Sequence, residues 1–514
     1  MQTESITTLP QALAVSARRF PETAAIVDND KRISYRDLDA RVARVAGAFV
    51  RAGIAKGDRV ALWAPNRAEW IVACLGAQAA GAVVVTLNTR LKGVEAQYIL
   101  NKSRAKVLVC VAKFLNVDYP ALLAGLELPH LERIVTIDGD WESFADSATA
   151  ADIEKAAAVR AALRPEDPCD ILFTSGTTGQ PKGVVYAHGQ SIQLYQVWAD
   201  YTGVTHGDRY LVVNPFFHSF GYKAGVIVCL LKGATIYPQL TLDVPDVIRK
   251  IQTERITVMP GPPTLFQSLL NAPEFKGADL TSLRLATTGA SVVPPSLIER
   301  MRSEIGIDNV LTAYGLTECG GTATISKPSD NAERVATTVG YAIPGIELAC
   351  VDANGKPVPT GEQGEVVVRG YNVMQGYFED PEATSEAIDR DGWLHTGDVG
   401  RLDAEGYLQI TDRMKDMFIT GGFNCYPAEI ERILATCPEI AQVAIVGVPD
   451  ERMGEVGKAY VVPRAGTRPT PESIIAWSRQ SMANYKVPRQ VEIVDQLPLN
   501  ASGKVQKFRL RDGG

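Results

Sequence analysis

The stretch FTSGTTGQPKGV, Phe173 to Val184, decides how the rest of the chain is read. It follows directly on a short apolar strand, Asp170-Ile-Leu-Phe173. Its three glycines permit tight turns and close backbone approach to an anion,. Ser175, Thr177 and Thr178 add hydroxyl donors, and Lys182 adds a positive charge. Successive exposed N–H groups in such a run form an anion-binding concavity. The spacing is not G-x-x-x-x-G-K-[ST], so this is not a Walker loop. On its own the run also fits a flexible surface loop.

Working outward, short apolar strands alternate with helical patterns on the N-terminal side. Leu38, Val42, Val45, Ala48 and Phe49 recur at helical spacing between Tyr35 and Ala52, with Gly53 as the stop,. Arg59 to Trp63 and Lys106 to Val111 read as buried strands. The longest apolar stretch, Ile71 to Leu87, is broken by Gln78 and Gly81 and reads as a buried helix followed by a strand,. This alternation predicts parallel sheets covered on both faces. An alanine-rich acidic connector spans Asp146 to Arg164. From Thr338 to Ile410 short strands are separated by Gly, Pro and Asp turns, which suggests a small β-barrel,. A last α+β unit of about 100 residues begins near Asp412,.

At 514 residues the chain exceeds what one core supports, and a net charge of -7 offers no surplus for nucleic acid or an anionic membrane,. An acidic chain that binds a polyanion must place its cations locally, which directs attention to single lysines beside glycine-rich turns. The first ten residues carry neither the basic start nor the apolar core of a secretory signal,. Eight scattered cysteines without a C-x-x-C pair argue against a disulfide framework or zinc site and for reduced thiols in the cytoplasm,.

Further chemistry-bearing stretches follow in order. Ala313-Tyr-Gly-Leu-Thr-Glu318 sets an aromatic face, a hydroxyl and a carboxylate within six residues: Tyr314 suits adenine stacking, Thr317 a phosphate, Glu318 Mg²⁺,. Trp393-Leu-His-Thr-Gly-Asp398 ends in an acid suited to ribose hydroxyls, with His395 in the turn before it,. Pro498-Leu-Asn-Ala-Ser-Gly-Lys504 places one lysine in a turn near the C-terminus.

This ordered set resembles the adenylate-forming superfamily of acyl-CoA synthetases, firefly-type luciferases and peptide-synthetase adenylation domains, from Phe173 to Lys507. The resemblance implies an α/β fold: a large N-terminal domain (1–411) of two doubly wound parallel-sheet subdomains (about 1–165 and 166–335) plus a distorted β-barrel (336–411). A hinge (412–415) and a small mobile α+β C-terminal domain (416–514) complete it. By position it implies that Gly289, Ala290, Ser291 and Tyr314 enclose adenine, that Gly315 belongs to the nucleotide site, and that Asp398 and Arg413 hold the ribose. Thr174, Ser175, Gly176, Thr177, Thr178, Gly179 and Lys182 surround the phosphates, and Thr317 lies on the α-phosphate side. Glu318 binds Mg²⁺, Lys504 reaches the carboxylate and the α-phosphate, and Lys415 falls at the hinge. Gly421 and Gly422 border a pantetheine tunnel, and His218 lines the acyl site.

The implied activity is an AMP-forming acid–thiol ligase that uses ATP, Mg²⁺ and coenzyme A and releases pyrophosphate. An acyl-AMP ligase with a carrier-protein acceptor and a luciferase-like oxidoreductase share the motifs. A non-catalytic relative would be expected to lack Lys504, Glu318 or Asp398, and all three are present. No acidic residue occurs from Pro215 to Leu240, which argues against an amino acid substrate. Phe216, Phe217, Phe220 and Tyr222 suggest an apolar acyl pocket, and the small residues Gly320 to Ala323 suggest room for a wide acid,. Asn214 to Gly225 and Pro260 to Pro263 are similar to bacterial ligases acting on the propanoate chain left by steroid ring breakdown. A medium-chain fatty acid and an arylalkanoic acid remain alternatives. The expected partners are small molecules, without nucleic acid or stable membrane insertion; homodimerisation stays open.

Overall fold

The computed structural model describes residues 5–174, 181–289, 293–413, 416–420, 423–425, 427–450, 453–482, 484–500 and 505–511. Side chains at 412, 413, 419, 423, 424 and 429 lie outside the description.

Local signals in the chain set the first elements. Ser34 accepts from Asp37 N (3.1 Å) at the start of the helix Tyr35–Arg51, satisfying one of its orphan donors,. The helix ends before Gly53, whose φ of 86° only glycine adopts readily,. Its apolar face packs on the helix Ala68–Ala79, which is buried along almost its whole length. Gly76 permits that approach, since a Cβ there would lie 2.7 Å from Val45 Cγ1. The strand Val83–Thr86 follows, buried at every position. The apolar run from Ile71 to Leu87 is therefore a core helix and strand, and among the described residues no helix is long and apolar enough to cross a membrane.

Two large sheets carry the N-terminal part. One has seven strands in the order Gly376–Tyr377, Lys182–Ala187, Pro168–Thr174, Val83–Thr86, Arg59–Trp63, Ala105–Cys110 and Arg133–Thr136. The last five are mutually parallel, while the first two are antiparallel additions. The second sheet places Arg209–Val212 beside Thr235–Pro238 and Leu285–Gly289 beside Asn309–Tyr314, both pairs parallel, with Val258 bridging between them. A four-stranded antiparallel sheet, Ile346–Val351, Gly364–Gly370, Leu394–Leu402 and Leu408–Arg413, forms the half-barrel and meets the second sheet through Tyr341 and Tyr407. A five-stranded sheet built on Ile440–Asp450 and Gly454–Pro463, with the helices Pro427–Leu434 and Pro471–Ser481, makes up the C-terminal part.

One buried contact ties the two large sheets together. Lys223 lies in a six-residue π-helix, Tyr222–Ile227, reached from the second sheet, and Asp170 lies on the strand that runs into the phosphate-type loop. Lys223 Nζ is 3.0 Å from Asp170 Oδ1, and the two side chains are 1% and 0% exposed. The ammonium also donates to Ser191 Oγ (3.1 Å) and sits 4.0 Å above the Tyr186 ring.

Candidate active site

The seven-stranded sheet, the second sheet, the half-barrel and the C-terminal part all contribute walls to one cavity of about 1680 Å³.

The two strands that flank the phosphate-type loop in sequence belong to the first of these. Thr174 and Lys182 stand opposite each other where the antiparallel strands Pro168–Thr174 and Lys182–Ala187 part, and both line the cavity. Ser175, Gly176, Thr177, Thr178 and Gly179 lie outside the described residues, but Thr174 and Pro181 on either side are on the wall. The two-residue strand Gly376–Tyr377 pairs with the outer edge of this hairpin, Tyr377 opposite Val184. This brings the Tyr377 ring under Lys182, whose Nζ lies 5.0 Å from the ring centroid.

Parallel pairing in the second sheet sets Thr288 beside Thr312 and Gly289 beside Ala313, and the chain then turns through Tyr314 to Glu318. Gly289 and Tyr314 line the cavity; Ala290 and Ser291 lie outside the described residues. Gly315 is pressed against another backbone: a Cβ there would lie 2.5 Å from Gly321 C and Thr322 N. A short 3₁₀ turn, Thr317–Cys319, then aims Thr317 and Glu318 into the cavity,. Tyr377 Oη donates to Glu318 Oε1 (3.0 Å), and Met374 N donates to the Glu318 carbonyl (3.0 Å). Burial, then the Glu318 charge, raises the Tyr377 phenol above its ordinary value, so it remains a donor,.

Asp398 sits in the half-barrel strand Leu394–Leu402, 4% exposed, and accepts a 2.6 Å hydrogen bond from Tyr314 Oη. Burial, then Asp398 itself, pushes the Tyr314 phenol well up, which keeps the proton on the tyrosine,. The turn before Asp398 is held by Glu365: Oε1 accepts from Gly397 N (3.0 Å) and Oε2 lies 2.8 Å from His395 Nδ1. Arg413 is the antiparallel partner of Asp398 in register, although its side chain is not described.

His218 caps the short helical turn beyond the strand Arg209–Val212. Phe220 N donates to its Nδ1 (3.2 Å), so in the neutral ring Nε2 carries the hydrogen,. The Asn66 side chain fixes this segment by donating to the carbonyls of Val212 (3.1 Å) and Asn214 (2.9 Å) and accepting from Phe216 N (2.7 Å). Phe217 and Phe220, on the same segment, also line the cavity, as do the apolar Pro263, Val293 and Val339. Phe216 and Tyr222, expected to line the acyl pocket with them, are instead core residues. Both pack on Trp70, at 5.2 and 5.4 Å between ring centroids, and Tyr222 Oη accepts from Gln78 Nε2 (2.8 Å). Of the small residues after Glu318, Gly321 and Thr322 reach the cavity, whereas Ala323 is buried in the core and a Cβ on Gly320 would strike Leu194 Cδ2 at 2.5 Å.

The C-terminal part closes the cavity with Glu431, Arg432, Leu499, Asn500, Val505 and Lys507. Lys507 Nζ is paired with Glu431 Oε1 (2.7 Å). Lys504 lies outside the described residues; on either side of it in sequence, Leu499 and Val505 bridge each other and line the cavity. Lys415, Gly421 and Gly422 also lie outside the described residues. Tyr377 and Glu365 were not singled out from sequence; each acts through a partner far along the chain, and no local pattern marks them.

Thr174 and Lys182 at the ends of the hydroxyl-rich stretch, a buried Tyr314–Asp398 pair and a cavity-facing Glu318 thus line one cavity. The AMP-binding enzyme family matches residues 13–378, and the AMP-binding enzyme C-terminal domain matches residues 429–504. The chain belongs to the AMP-binding enzyme family. It is 49% identical, over 99% of both chains, to the 3-[(3aS,4S,7aS)-7a-methyl-1,5-dioxo-octahydro-1H-inden-4-yl]propanoyl:CoA ligase of Mycobacterium tuberculosis. It is 48% identical to the ligase of the same name from Rhodococcus jostii, again over 99% of both chains. The crystal structure of the anthranilate CoA ligase AuaEII with anthranoyl-AMP superposes with a TM-score of 0.90 at 29% identity, covering 98% of this chain and 96% of that one. The expected α/β adenylate-forming fold and the expected class, an ATP-dependent acid–thiol ligase of the AMP-binding family, therefore stand.

Proposed function

We propose that this AMP-binding family member converts a bicyclic keto-alkanoic acid, of the kind named for its two bacterial relatives, into its CoA thioester through an acyl-adenylate. The observation that carries this reading is the near-half identity to those ligases along the whole chain. Apolar lining residues such as Phe217 and Phe220 suit a fused-ring acid, and His218 on the same segment suits the end where the carboxylate reacts,.

In the first step a carboxylate oxygen attacks the α-phosphorus of ATP, and the bond to pyrophosphate breaks. Two anions must meet, and at about 4 Å their repulsion is about 4 kcal/mol at an effective dielectric of 20. Lys182 and the hydroxyls of the Ser175 to Thr178 loop hold the phosphates, Thr317 the α-phosphate side, and Lys504 the reacting oxygens. Asp398 with Arg413 accepts the ribose hydroxyls, and Gly289, Ala290, Ser291 and Tyr314 enclose the base. Magnesium is typically held by one or two carboxylates plus substrate phosphates. Glu318 fits that role: one oxygen is oriented by Tyr377, and the other has no partner among the described residues. When bound there, the ion supplies positive charge to the phosphate oxygens. In the second step the CoA thiol, losing its proton, attacks the acyl carbonyl and AMP leaves. Rotation of the segment after the hinge at 412–415 would withdraw Lys504 and bring Gly421 and Gly422 to the thiol path. The reading places the enzyme in the cytoplasm, where ATP and CoA are supplied.

Pyrophosphate release over a panel of acids, with and without CoA, tests this. The bicyclic dione propanoate should give the highest kcat/KM, and the CoA ester should form stoichiometrically with pyrophosphate. Preference for straight medium-chain acids would overturn the assigned acid; pyrophosphate without any CoA ester would overturn the ligase reading.

A further inference from the structure

Tyr377 touches two of the groups proposed above for the triphosphate side, and it reaches them from a third part of the fold. Its hydroxyl donates to Glu318 Oε1 at 3.0 Å, and its ring face lies 5.0 Å beneath Lys182 Nζ. The residue is built into place. Its strand pairs with the hairpin through Tyr377 opposite Val184 and Gly376 opposite Val185, and Phe378 N donates to the Gly183 carbonyl (2.7 Å). Its own N–H is held by Thr384 Oγ1 (2.9 Å). Tyr377 lines the cavity beside Glu318, Lys182 and Thr174.

We infer that Tyr377 is the positioning residue of the triphosphate site: its hydroxyl sets the Glu318 carboxylate for the metal, and its ring seats the Lys182 ammonium. A glutamate has three side-chain torsions to fix, and anchoring one carboxylate oxygen leaves the other turned to the cavity in one orientation. A hydrogen bond to a carboxylate is worth more than a neutral one. An ammonium over an aromatic face is held without being neutralised, so its full charge stays available to a phosphate. Tyr377 touches neither acid nor thiol in this arrangement, so its effect belongs to MgATP and not to the thioester step. The inference rests on the reading of Glu318 as the metal carboxylate, and the test separates the two.

The experiment is calorimetric binding of ATP to the full chain without acid or CoA, so that nothing turns over, once with Mg²⁺ and once with EDTA. Glu318→Gln should weaken MgATP and leave metal-free ATP unchanged; if it does not, the reading of Glu318 fails. Tyr377→Phe keeps the ring and should weaken MgATP about tenfold while sparing metal-free ATP, the size expected from losing one hydrogen bond to a charge. Tyr377→Leu removes the ring as well and should weaken metal-free ATP by a further factor of about three. Thioester formation from supplied acyl-AMP should stay at the unmutated rate in Tyr377→Phe, and its thermal unfolding should not move. If Glu318→Gln behaves as expected but Tyr377→Phe binds MgATP as tightly as the unmutated chain or tighter, the inference is overturned. It is equally overturned if Tyr377→Phe weakens ATP alike with and without metal, since that marks a general loosening.

Discussion

Replacing Lys223 by Met should destabilise the protein far more than removing a surface charge. Lys223 and Asp170 are 1% and 0% exposed and 3.0 Å apart. The ammonium also loses its hydrogen bond to Ser191 Oγ and its place over the Tyr186 ring. What remains beside Asp170 is the Cys169 thiol, a weak donor at 3.2 Å,. Breaking a buried pair from one side costs about 3–5 kcal/mol, because it leaves a buried charge uncompensated. Replacing both members with apolar residues of similar volume removes that penalty. Urea unfolding followed by tryptophan fluorescence reads the difference, since Trp70 packs against Tyr222, the residue before Lys223. Lys223→Met should lower the midpoint substantially, and Lys223→Met with Asp170→Leu should recover most of the loss. A single variant within about 1 kcal/mol of the unmutated chain, below the range for a buried pair, would refute the reasoning. So would a double variant that adds a second loss to the first.

Other outcomes follow from the site. Lys504→Ala should abolish pyrophosphate release while leaving thioester formation from supplied acyl-AMP intact, read in separate half-reaction assays; equal loss of both would contradict the domain-alternation reading. Tyr314→Phe leaves the buried Asp398 without its 2.6 Å donor and should raise the KM for ATP about tenfold, with little change in the KM for the acid,. Gly315→Ala drives a Cβ to 2.5 Å from the Gly321 backbone and should cost about 1–3 kcal/mol of stability, visible as a lower melting temperature,. His188, buried with Nδ1 accepting from Leu9 N (3.3 Å), has its pKa lowered from 6.5 to about 4 by burial. The folded state therefore favours the neutral ring, and its contribution is complete above about pH 6.5 and lost as the pH falls toward 4,. His188→Gln should flatten stability over that window by up to about 3 kcal/mol in unfolding titrations.

The sequence carried the periodic elements well. The helix Tyr35–Arg51 has both an apolar stripe and a capping serine, and the strand before Ser175 is a short apolar run, so local pattern and tertiary demand agree,. Motifs that recur in a fixed order were equally legible, because Glu318 and Asp398 each sit in a short distinctive stretch. Phe216 and Tyr222 were misplaced because composition says that a stretch is apolar but not which ring faces the cavity. The turn at His218 and the π-helix after it send Phe217 and Phe220 to the cavity and their neighbours toward Trp70. Tyr377 was out of reach for another reason: its partner strand begins at Lys182, and a two-residue strand leaves no period to read.

The cavity's division between two sheets bears on how such an enzyme changes over generations. Thr174, Lys182 and Tyr377 belong to the seven-stranded sheet, whereas Thr288, Tyr314 and the segment carrying His218 hang from the other. A lineage can therefore exchange a lining residue such as Phe217 without disturbing the strands that carry Thr174 and Lys182. The buried Lys223–Asp170 contact crosses that seam, with one member on each side. Drift at either of those two positions is constrained by the other sheet, so they should change together or not at all, while the cavity wall around them diversifies.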